Sequence, residues 1–586
     1  MNSSKIIALI AILGMICISC EDPKEEDVIP PTVAITSPQN NSTVQEVVSV
    51  ACISTDNDRV EKVELWIDGI YSGIYDESEP YSLDWNTTSY DDKAYSISAR
   101  AFDASGNYQD SDSISVTVNN LAPSNVTLNP IMYSDGTFNI SWNQNQDADF
   151  LSYSLYEASN EQMNDKELIF STNSRSDTTF SKPLGEGEVW YYQLTVSDIN
   201  HLQANSSIEM GNSFLIFSST FGGESSDGGN EVKQTTDGGL IIIGTTQSFG
   251  NGFCDVSLIK CDSHGNEEWS QTFGGTEYDE GRSIQQTSDG GFIIAGITES
   301  FGGGDYDVWL VKTDAMGNEE WSRTFGNDGR DVGNAVQQTS DGGYIVVGET
   351  QRVGTGGCWL IKTNSEGIEE WSYTYNSGMN GDDGGNAVQQ TSDGGYIITG
   401  FKGFHDDSGR VWLIKTNSTG IVEWSSEFGG SHNDYGTSVR QTSDGGYIIA
   451  GSQSSQNNHR YDIWLIKTNS EGDEEWNQIF YVAQHDYGHE VQQTADNGYI
   501  VVGVTLSYGY DTKEDALLIK FDSEGVKEWD RAFGGSEFDA GNSVIQASDG
   551  GYVIAGITQS FGIGSHDVWL FKTDPWGNTT LNIQIQ

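Results

Sequence analysis

Any chemistry in this chain must come from residues that stand out against a heavily patterned background. The eight histidines share no common position, and the HExxH, GxSxG, Walker-type and EF-hand spacings are absent. With 86 Asp and Glu residues, a carboxylate pair of glycosidase type carries no information by itself. One acidic position does stand out. Asp-x-Gly recurs at Asp227, Asp279, Asp331, Asp383, Asp434, Asp486 and Asp539. Seven carboxylates around one mouth would suit a hard cation such as calcium. The same residue also satisfies its own turn as an Asx motif, and identical placement in every unit favours that reading. No metal and no cofactor is therefore expected. Residues that vary from unit to unit are the better candidates for recognition: His405, His459, Arg460, Tyr461, His485, Tyr487, Tyr508 and Tyr510. His432, His485 and His489 fall in equivalent loops of neighbouring units, where solvated histidines are the ordinary reading and a metal site the alternative. No catalytic residue emerges.

The elements that position these residues repeat. Asp-Gly-Gly, once Asp-Asn-Gly, recurs at Asp237, Asp289, Asp341, Asp393, Asp444, Asp496 and Asp549, with spacings of 52, 52, 52, 51, 52 and 53. Such a period means a propeller or a solenoid. Each unit holds four strand-like segments, seen in the second as Ser283–Thr287, Phe292–Gly296, Asp307–Lys312 and Glu320–Phe325, here strands A to D. Four strands in about 52 residues, seven times, is the arithmetic of a seven-bladed β-propeller over 214–586; solenoid coils are usually shorter. In a meander the A–B and C–D turns share one face, and the varying B–C and D–A loops share the other. Strand C carries a lysine in every unit, from Lys260 to Lys572. A half-buried lysine needs a carboxylate or carbonyl partner, which predicts struts between blades. Segments 214–221 and 579–586 both match strand D, so one of them closes the ring beside the last strand C.

Between strands C and D the pattern Asp314-x-x-Gly317-x-x-x-Trp321 recurs, with Trp at 269, 371, 424, 476 and 529 and Leu581 in the last unit. This resembles the tryptophan-docking repeat of quinoprotein-like propellers, and the whole unit is similar to surface-propeller repeats of archaea and environmental bacteria. The resemblance implies that the tryptophan packs between blades. The chain departs from the quinoprotein enzymes in having seven units and no vicinal disulfide.

Ahead of the repeats, short alternating segments such as Val63–Ile67 and Tyr95–Ala99 predict a β-sandwich over 31–119. Its Trp85-Asn86-Thr87 and Ala101–Asn107 stretches resemble bacterial Ig-like modules. A second sandwich over 121–212, with Trp142, Tyr153 and Tyr191–Val196, is similar to fibronectin type III modules. Such modules commonly serve as spacers. The expected fold is all-β, two sandwiches followed by a seven-bladed propeller.

Lys5 precedes an apolar run from Ile6 to Ile18, too short to cross a bilayer, which needs about 20 residues, and suited to a signal-peptide core. It ends at Cys20 before the acidic segment Glu21–Asp27. This resembles a bacterial lipoprotein signal, residues 1–19, followed by an acidic linker, 20–30, of the kind that exports lipoproteins to the surface. The resemblance implies a diacylated Cys20 and an outer-membrane, surface-exposed protein whose only membrane contact is its lipid. An ordinary secretory signal is the alternative. The remaining Cys52, Cys254, Cys261 and Cys358 form no CxxC pair and are expected as separate buried thiols. A net charge of −58 excludes a nucleic-acid partner. These features predict a non-enzymatic surface protein that binds a protein or glycan, or scaffolds other molecules, with a polysaccharide hydrolase or lyase as the alternative.

Overall fold

The computed structural model of the chain describes residues 27–134, 136–185, 187–351, 356–376, 383–403, 409–429, 432–454, 460–480, 484–506, 513–579 and 584–585. The signal segment and Cys20 lie outside them. The chain divides into two compact units, one holding the residues up to 184 together with 189–212, the other holding 185–188 and everything from 213.

The first unit contains two β-sandwiches. In the earlier one, Thr32–Ser37, Val47–Thr55 and Tyr81–Asn86 form one sheet, and Ser42–Val44, Ile114–Val118, Ala94–Asp103, Val60–Ile67 and Ile70–Asp76 form the other. Strict alternation explains the strand Tyr81–Asn86: Tyr81, Leu83 and Trp85 are buried, while Ser82, Asp84 and Asn86 are exposed. The inward residues meet in a core built around Val50, Leu65, Trp85 and Ile97. The second sandwich pairs Met132–Ser134, Thr137–Ser141 and Thr179–Pro183 in one sheet. The facing sheet orders Glu167–Thr172, Phe150–Ala158, Val189–Asp198 and Gln203–Asn212. Its own core gathers Phe138, Tyr153, Tyr192 and Leu194.

The second unit is seven antiparallel sheets, each built from strands A, B, C and D in that order. The first comprises Asp227–Gln234, Leu240–Thr246, Asp255–Cys261 and Glu267–Phe273. Strands B and C read as unbroken apolar runs because both of their faces are covered. All seven residues of Phe292–Thr298 and of Asp307–Thr313 are buried. Strand D alternates between exposed and half-buried residues, as an outer edge should. Neighbouring sheets share cores: Ile243 and Leu258 of the first repeat pack with Phe292 and Trp309 of the second. The same kind of core joins the first sheet to the last, where Val232 and Ile242 meet Val553 and Leu570.

Of the two surplus D-like segments, the N-terminal one completes the last sheet. Phe217–Phe221 pairs with Asp567–Thr573, and Phe217 stands opposite Lys572 as Trp321 stands opposite Lys312. Gln584–Ile585 instead adds a fifth strand to the sixth sheet. The repeat tryptophan lies between sheets. A Cβ on Gly317 would sit 2.5 Å from the Trp269 ring of the preceding repeat, and Gly265 meets Phe217 in the same way. Gly317 also has a positive φ of 77°, so glycine is required there twice over.

The lysines correct the sequence expectation. They do not link sheets; each is tied inside its own. Lys312 lies 3.0 Å from Asp289 of its own A–B turn and 2.9 Å from Glu320, and it donates to the Thr313 carbonyl at 2.8 Å. A bulge in the C–D ladder makes this possible. Lys312 pairs with Trp321 and Thr313 with Glu319, so Glu320 is skipped and its carboxylate turns back to the lysine. In the seventh repeat Asp549 takes up Lys572.

A second bulge shapes the inner strand. In every repeat the third residue after the Asp is left out of the A–B ladder, as Asn230 is between Gly229 and Glu231. That residue reaches the next sheet. Asn230 donates to Gly281 O, Asn334 to Gly385 O, Asn386 to Gly436 O and Thr437 to Gly488 O. His489 Nδ1 contacts Gly541 O, and Asn542 donates back to Gly229 O, so the succession returns to its start.

Candidate functional site

The seven repeat aspartates are buried, none more than 3% exposed. Each accepts at least one hydrogen bond from the backbone or side chains near its own turn. Asp279 Oδ2 accepts from Gly275 N at 2.8 Å and Ser300 Oγ at 2.7 Å. Asp227 and Asp539 repeat this with Gly223 and Ser248, and with Gly535 and Ser560. Asp331 accepts from Asn327 N, Asp383 from Gly403 N, Asp434 from Ser454 N and Asp486 from Thr505 Oγ1. Each of these residues accepts hydrogen bonds that staple the backbone around it, and Asp331 Oδ1 is buried without a hydrogen-bond partner. Among the described residues, one trio of carboxylates, Asp27, Asp56 and Asp103 of the first sandwich, places ligand oxygens within 4.8 Å of one another. The sequence reading did not connect them, because 76 positions separate Asp27 from Asp103. The four cysteines in the described residues are free and buried, as expected.

The loop face is built on a backbone bridge. The N–H of the repeat Asp donates to the residue just before strand C of the preceding sheet: Asp279 to Cys254 O, Asp331 to Tyr306 O and Asp539 to Glu514 O, each at 2.8 Å. The residue before the repeat Asp and the residue before strand C thus come side by side across every junction described this way, as Cys254 and Tyr278, Tyr306 and Arg330, and His566 and Ser226 do. Their side chains differ from one junction to the next while the backbone beneath them stays the same.

Between the fifth and sixth sheets candidates chosen from the sequence come together. Tyr461 precedes Asp462 and His485 precedes Asp486, and Tyr461 N donates to His485 Nδ1 at 3.2 Å. The Tyr461 ring lies 5.3 Å from Tyr487 and 6.1 Å from His485, and His485 and Tyr487 are parallel to within 3° at 6.0 Å. Tyr435, which the sequence reading missed, adds a fourth ring 5.8 Å from Tyr461. All four rings are half-buried, and Arg460 beside them is exposed. Two carboxyls flank the rings. Burial, reinforced by neighbouring Asp486 and opposed by Arg460, pushes Asp462 up to about 6. Burial also raises Glu514, against the pull of His485. Burial raises the Tyr435 and Tyr487 hydroxyls, so both stay protonated donors. The patch therefore offers ring faces, hydroxyl donors, a guanidinium and two carboxyls raised by burial, Asp462 to about 6.

His489 does not join His485. It sits on strand A, and burial holds its imidazole below the ordinary range. His405, His459, Tyr508 and Tyr510 lie outside the described residues. A second aromatic group occupies the junctions of the second sheet: Tyr278 and Tyr306 meet edge-on at 6.2 Å, and Arg330 lies over Tyr306 at 5.8 Å. The signal that would have found it is positional, the residue immediately before each repeat Asp.

A family model described as a bacterial Ig domain matches residues 31–99. No curated protein matches. Among solved structures, the fibronectin(III)-like modules of Clostridium thermocellum CbhA are 16% identical, with a TM-score of 0.22 over 30% of this chain and 91% of theirs. Domains A168–A170 of titin are 12% identical, with a TM-score of 0.24 over 32% of this chain and 67% of theirs. The protein is all-β, and its first sandwich is Ig-like.

Proposed function

We propose that this chain is a lipid-anchored surface protein in which an Ig-like and a fibronectin type III-like module carry a seven-bladed β-propeller that recognises a glycan. The propeller reading draws support from seven equivalent sheets, the shared core of the first and last, and the inner hydrogen bonds that return from Asn542 to Gly229. The Ig-like module fits a surface protein that binds or scaffolds. One observation carries the recognition reading: Tyr435, Tyr461, His485 and Tyr487 converge at positions that vary between repeats. Half-exposed rings give a sugar's C–H face a stacking surface, and the flanking hydroxyls and carboxyls bond its hydroxyls.

The test is a glycan array probed with the full chain, followed by calorimetry on the best hits. Saturable binding that falls about tenfold in both Tyr461→Ala and Tyr487→Ala is expected, the loss of one well-packed stacking contact. Binding indifferent to both variants would move recognition elsewhere. Capture of a protein without any glycan hit would make the partner a protein, and released oligosaccharide would make the face catalytic.

A further inference from the structure

Two positions of each repeat stand apart from its scaffold: the residue before the repeat Asp and the residue before strand C. At the junction of the fourth and fifth sheets they are Asn433 and Gly409, and Asp434 N donates to Gly409 O at 2.9 Å. At the junction of the first and second they are Tyr278 and Cys254, and at that of the second and third Arg330 and Tyr306, over the same bond at 2.8 Å. A glycine and an asparagine carry this bond as well as two tyrosines and an arginine do. The bridge therefore does not account for the larger side chains around the second sheet.

Those side chains meet on the loop face. The Tyr278 and Tyr306 rings stand 6.2 Å apart at 87°, and both are half-buried, like the four rings between the fifth and sixth sheets. Their backbone is held: Tyr278 O accepts from Glu299 N and Tyr306 O from Asp331 N, each at 2.8 Å. Rings on so fixed a backbone lose little freedom when a ligand settles on them. Carboxylates fringe the pair. Glu280 accepts from the Tyr278 hydroxyl at 3.2 Å and from Arg282 Nη2 at 3.1 Å, and Glu299 lies 3.4 Å from Tyr278 N. Burial, reinforced by Glu280, raises the Tyr278 hydroxyl, and the Glu299 hydrogen bond, then burial, raise that of Tyr306, so both stay protonated donors. The Arg330 guanidinium lies 5.8 Å from the Tyr306 ring centre. Its side chain is 41% exposed and its nearest carboxylate, Glu349, is 3.8 Å away, too far for a hydrogen bond. Its donors are open to a ligand.

This is the chemical set of the first patch over again. There Tyr461, His485 and Tyr487 are fringed by Arg460, Asp462 and Glu514; here Tyr278 and Tyr306 are fringed by Arg330, Glu280 and Glu299. The two groups occupy the same positions of the repeat, three junctions apart, and no sheet contributes to both. Half-exposed rings suit the C–H face of a sugar, and the carboxylates and the guanidinium suit its hydroxyls. One chemistry set out twice on a single face matches a ligand that repeats itself, as the sugar rings of a polysaccharide do.

We propose that Tyr278, Tyr306 and Arg330 form a second glycan subsite, so that each protein molecule holds a polysaccharide at two places. The proposal rests on the glycan reading of the Tyr461 patch and adds a site to it. The experiment is calorimetry on the full chain with the trisaccharide and the polymer of β-1,3-glucan, β-1,4-xylan and α-1,6-mannan. Two trisaccharides per chain are expected for one of these linkages, with its polymer bound about a hundredfold tighter. Tyr306→Ala and Tyr461→Ala are each expected to leave one trisaccharide site and to remove the advantage of the polymer, and the double variant to leave no site. A single trisaccharide site that Tyr461→Ala abolishes and Tyr306→Ala leaves alone would overturn the second subsite and keep the glycan reading. A polymer bound no tighter than its trisaccharide would overturn the hold at two places. No binding of any of the three would overturn both readings. If Tyr306→Ala melts too low to test, the exposed Arg330→Ala decides: a loss of about tenfold at one of two sites is expected, and two unchanged sites would remove the glycan from this group.

Discussion

The two ends of the repeat sheets obey opposite rules. At the A–B and C–D turns the first six units solve the same problem in the same way, and the seventh keeps the Asp549–Lys572 pair. Asp289 accepts from Gly291 N and Thr287, holds Lys312, and leaves the Trp to pack against the next turn. On the other face the same backbone bridge recurs at the Cys254–Tyr278, Tyr306–Arg330 and His566–Ser226 junctions, yet the side chains it carries change from one to the next. Uniform chemistry marks where the fold is held, and broken uniformity on uniform backbone marks where it is available for recognition.

The comparison can be broken most forcefully through the backbone. A Cβ at Gly296 would fall 1.9 Å from the Glu280 carbonyl, because the inner bulge brings strand A close against strand B. Gly296→Ala is expected to cost roughly 4 kcal/mol or more, enough to prevent cooperative folding of the second unit, read by circular dichroism and thermal melting. A chain that melts normally would mean the bulge is not rigid.

Next in size is a strut. Lys415 is 3% exposed in its side chain and is held by Asp393 at 2.9 Å, Glu423 at 3.1 Å and the Thr416 carbonyl at 2.9 Å. Lys415→Met leaves the Thr416 carbonyl without its donor while the more exposed Asp393 and Glu423 carboxylates return to water, and a loss of about 1 to 3 kcal/mol is expected in denaturant melts. Arg460→Ala on the exposed loop face should stay within about 0.5 kcal/mol. Equal effects at the two positions would erase the contrast.

The pH dependence separates the ends with opposite signs. On the uniform turns, Asp237 is held down to about 2, first by the Thr235 hydroxyl, then by the Gly239 N–H and Lys260. Asp289, Asp393 and Asp444 also sit at about 2, where burial is overcome by their Thr and Lys partners. Their stabilisation is present above the unfolded carboxylate value of about 4 and is lost as pH falls through about 2. On the loop face, burial and the neighbouring Asp539 push Asp515 up to about 7; a Cβ on Gly534 would touch both carboxylates, at 2.2 Å and 2.9 Å. A raised carboxyl stabilises below about 4, and that contribution is lost as pH rises through about 7. Melting temperature is thus expected to peak between the two limits. Asp515→Asn should flatten the upper limb alone by roughly 1 to 3 kcal/mol, and a variant that instead flattens the acid limb would reverse the assignment.

The smallest effect expected on stability is at the aromatic patch. Tyr461→Ala removes a half-buried ring and should lower the unfolding free energy by about 1 kcal/mol, while the loss appears in ligand affinity. A large loss of stability would make the ring part of the scaffold.

Much of this architecture was legible because it is local. A 52-residue period, the apolar runs of strands B and C, and the Lys, Trp and Asp-Gly-Gly positions can be counted along the chain. Variation among the B–C and D–A loops can be read along the chain as well, which is how Arg460, Tyr461, His485 and Tyr487 become candidates from sequence. What could not be counted were partners. Whether Lys312 reaches its own sheet or the next depends on a bulge that turns Glu320 around, and a bulge is a property of the register between two strands.

By itself, then, the sequence determined an all-β chain with seven equivalent units, two sandwich modules ahead of them, and the positions at which those units differ. Tertiary structure alone decided that Phe217, not the C-terminal segment, stands opposite Lys572, 355 residues away. It also decided that Tyr435 joins the rings of the next repeat, and that Lys233, Arg440 and Glu490 meet from three different sheets. The physical reason is the same in each case. Periodicity tells which face of a strand is buried, but the identity of what covers it is fixed only when distant segments share a register and neighbouring sheets pack together.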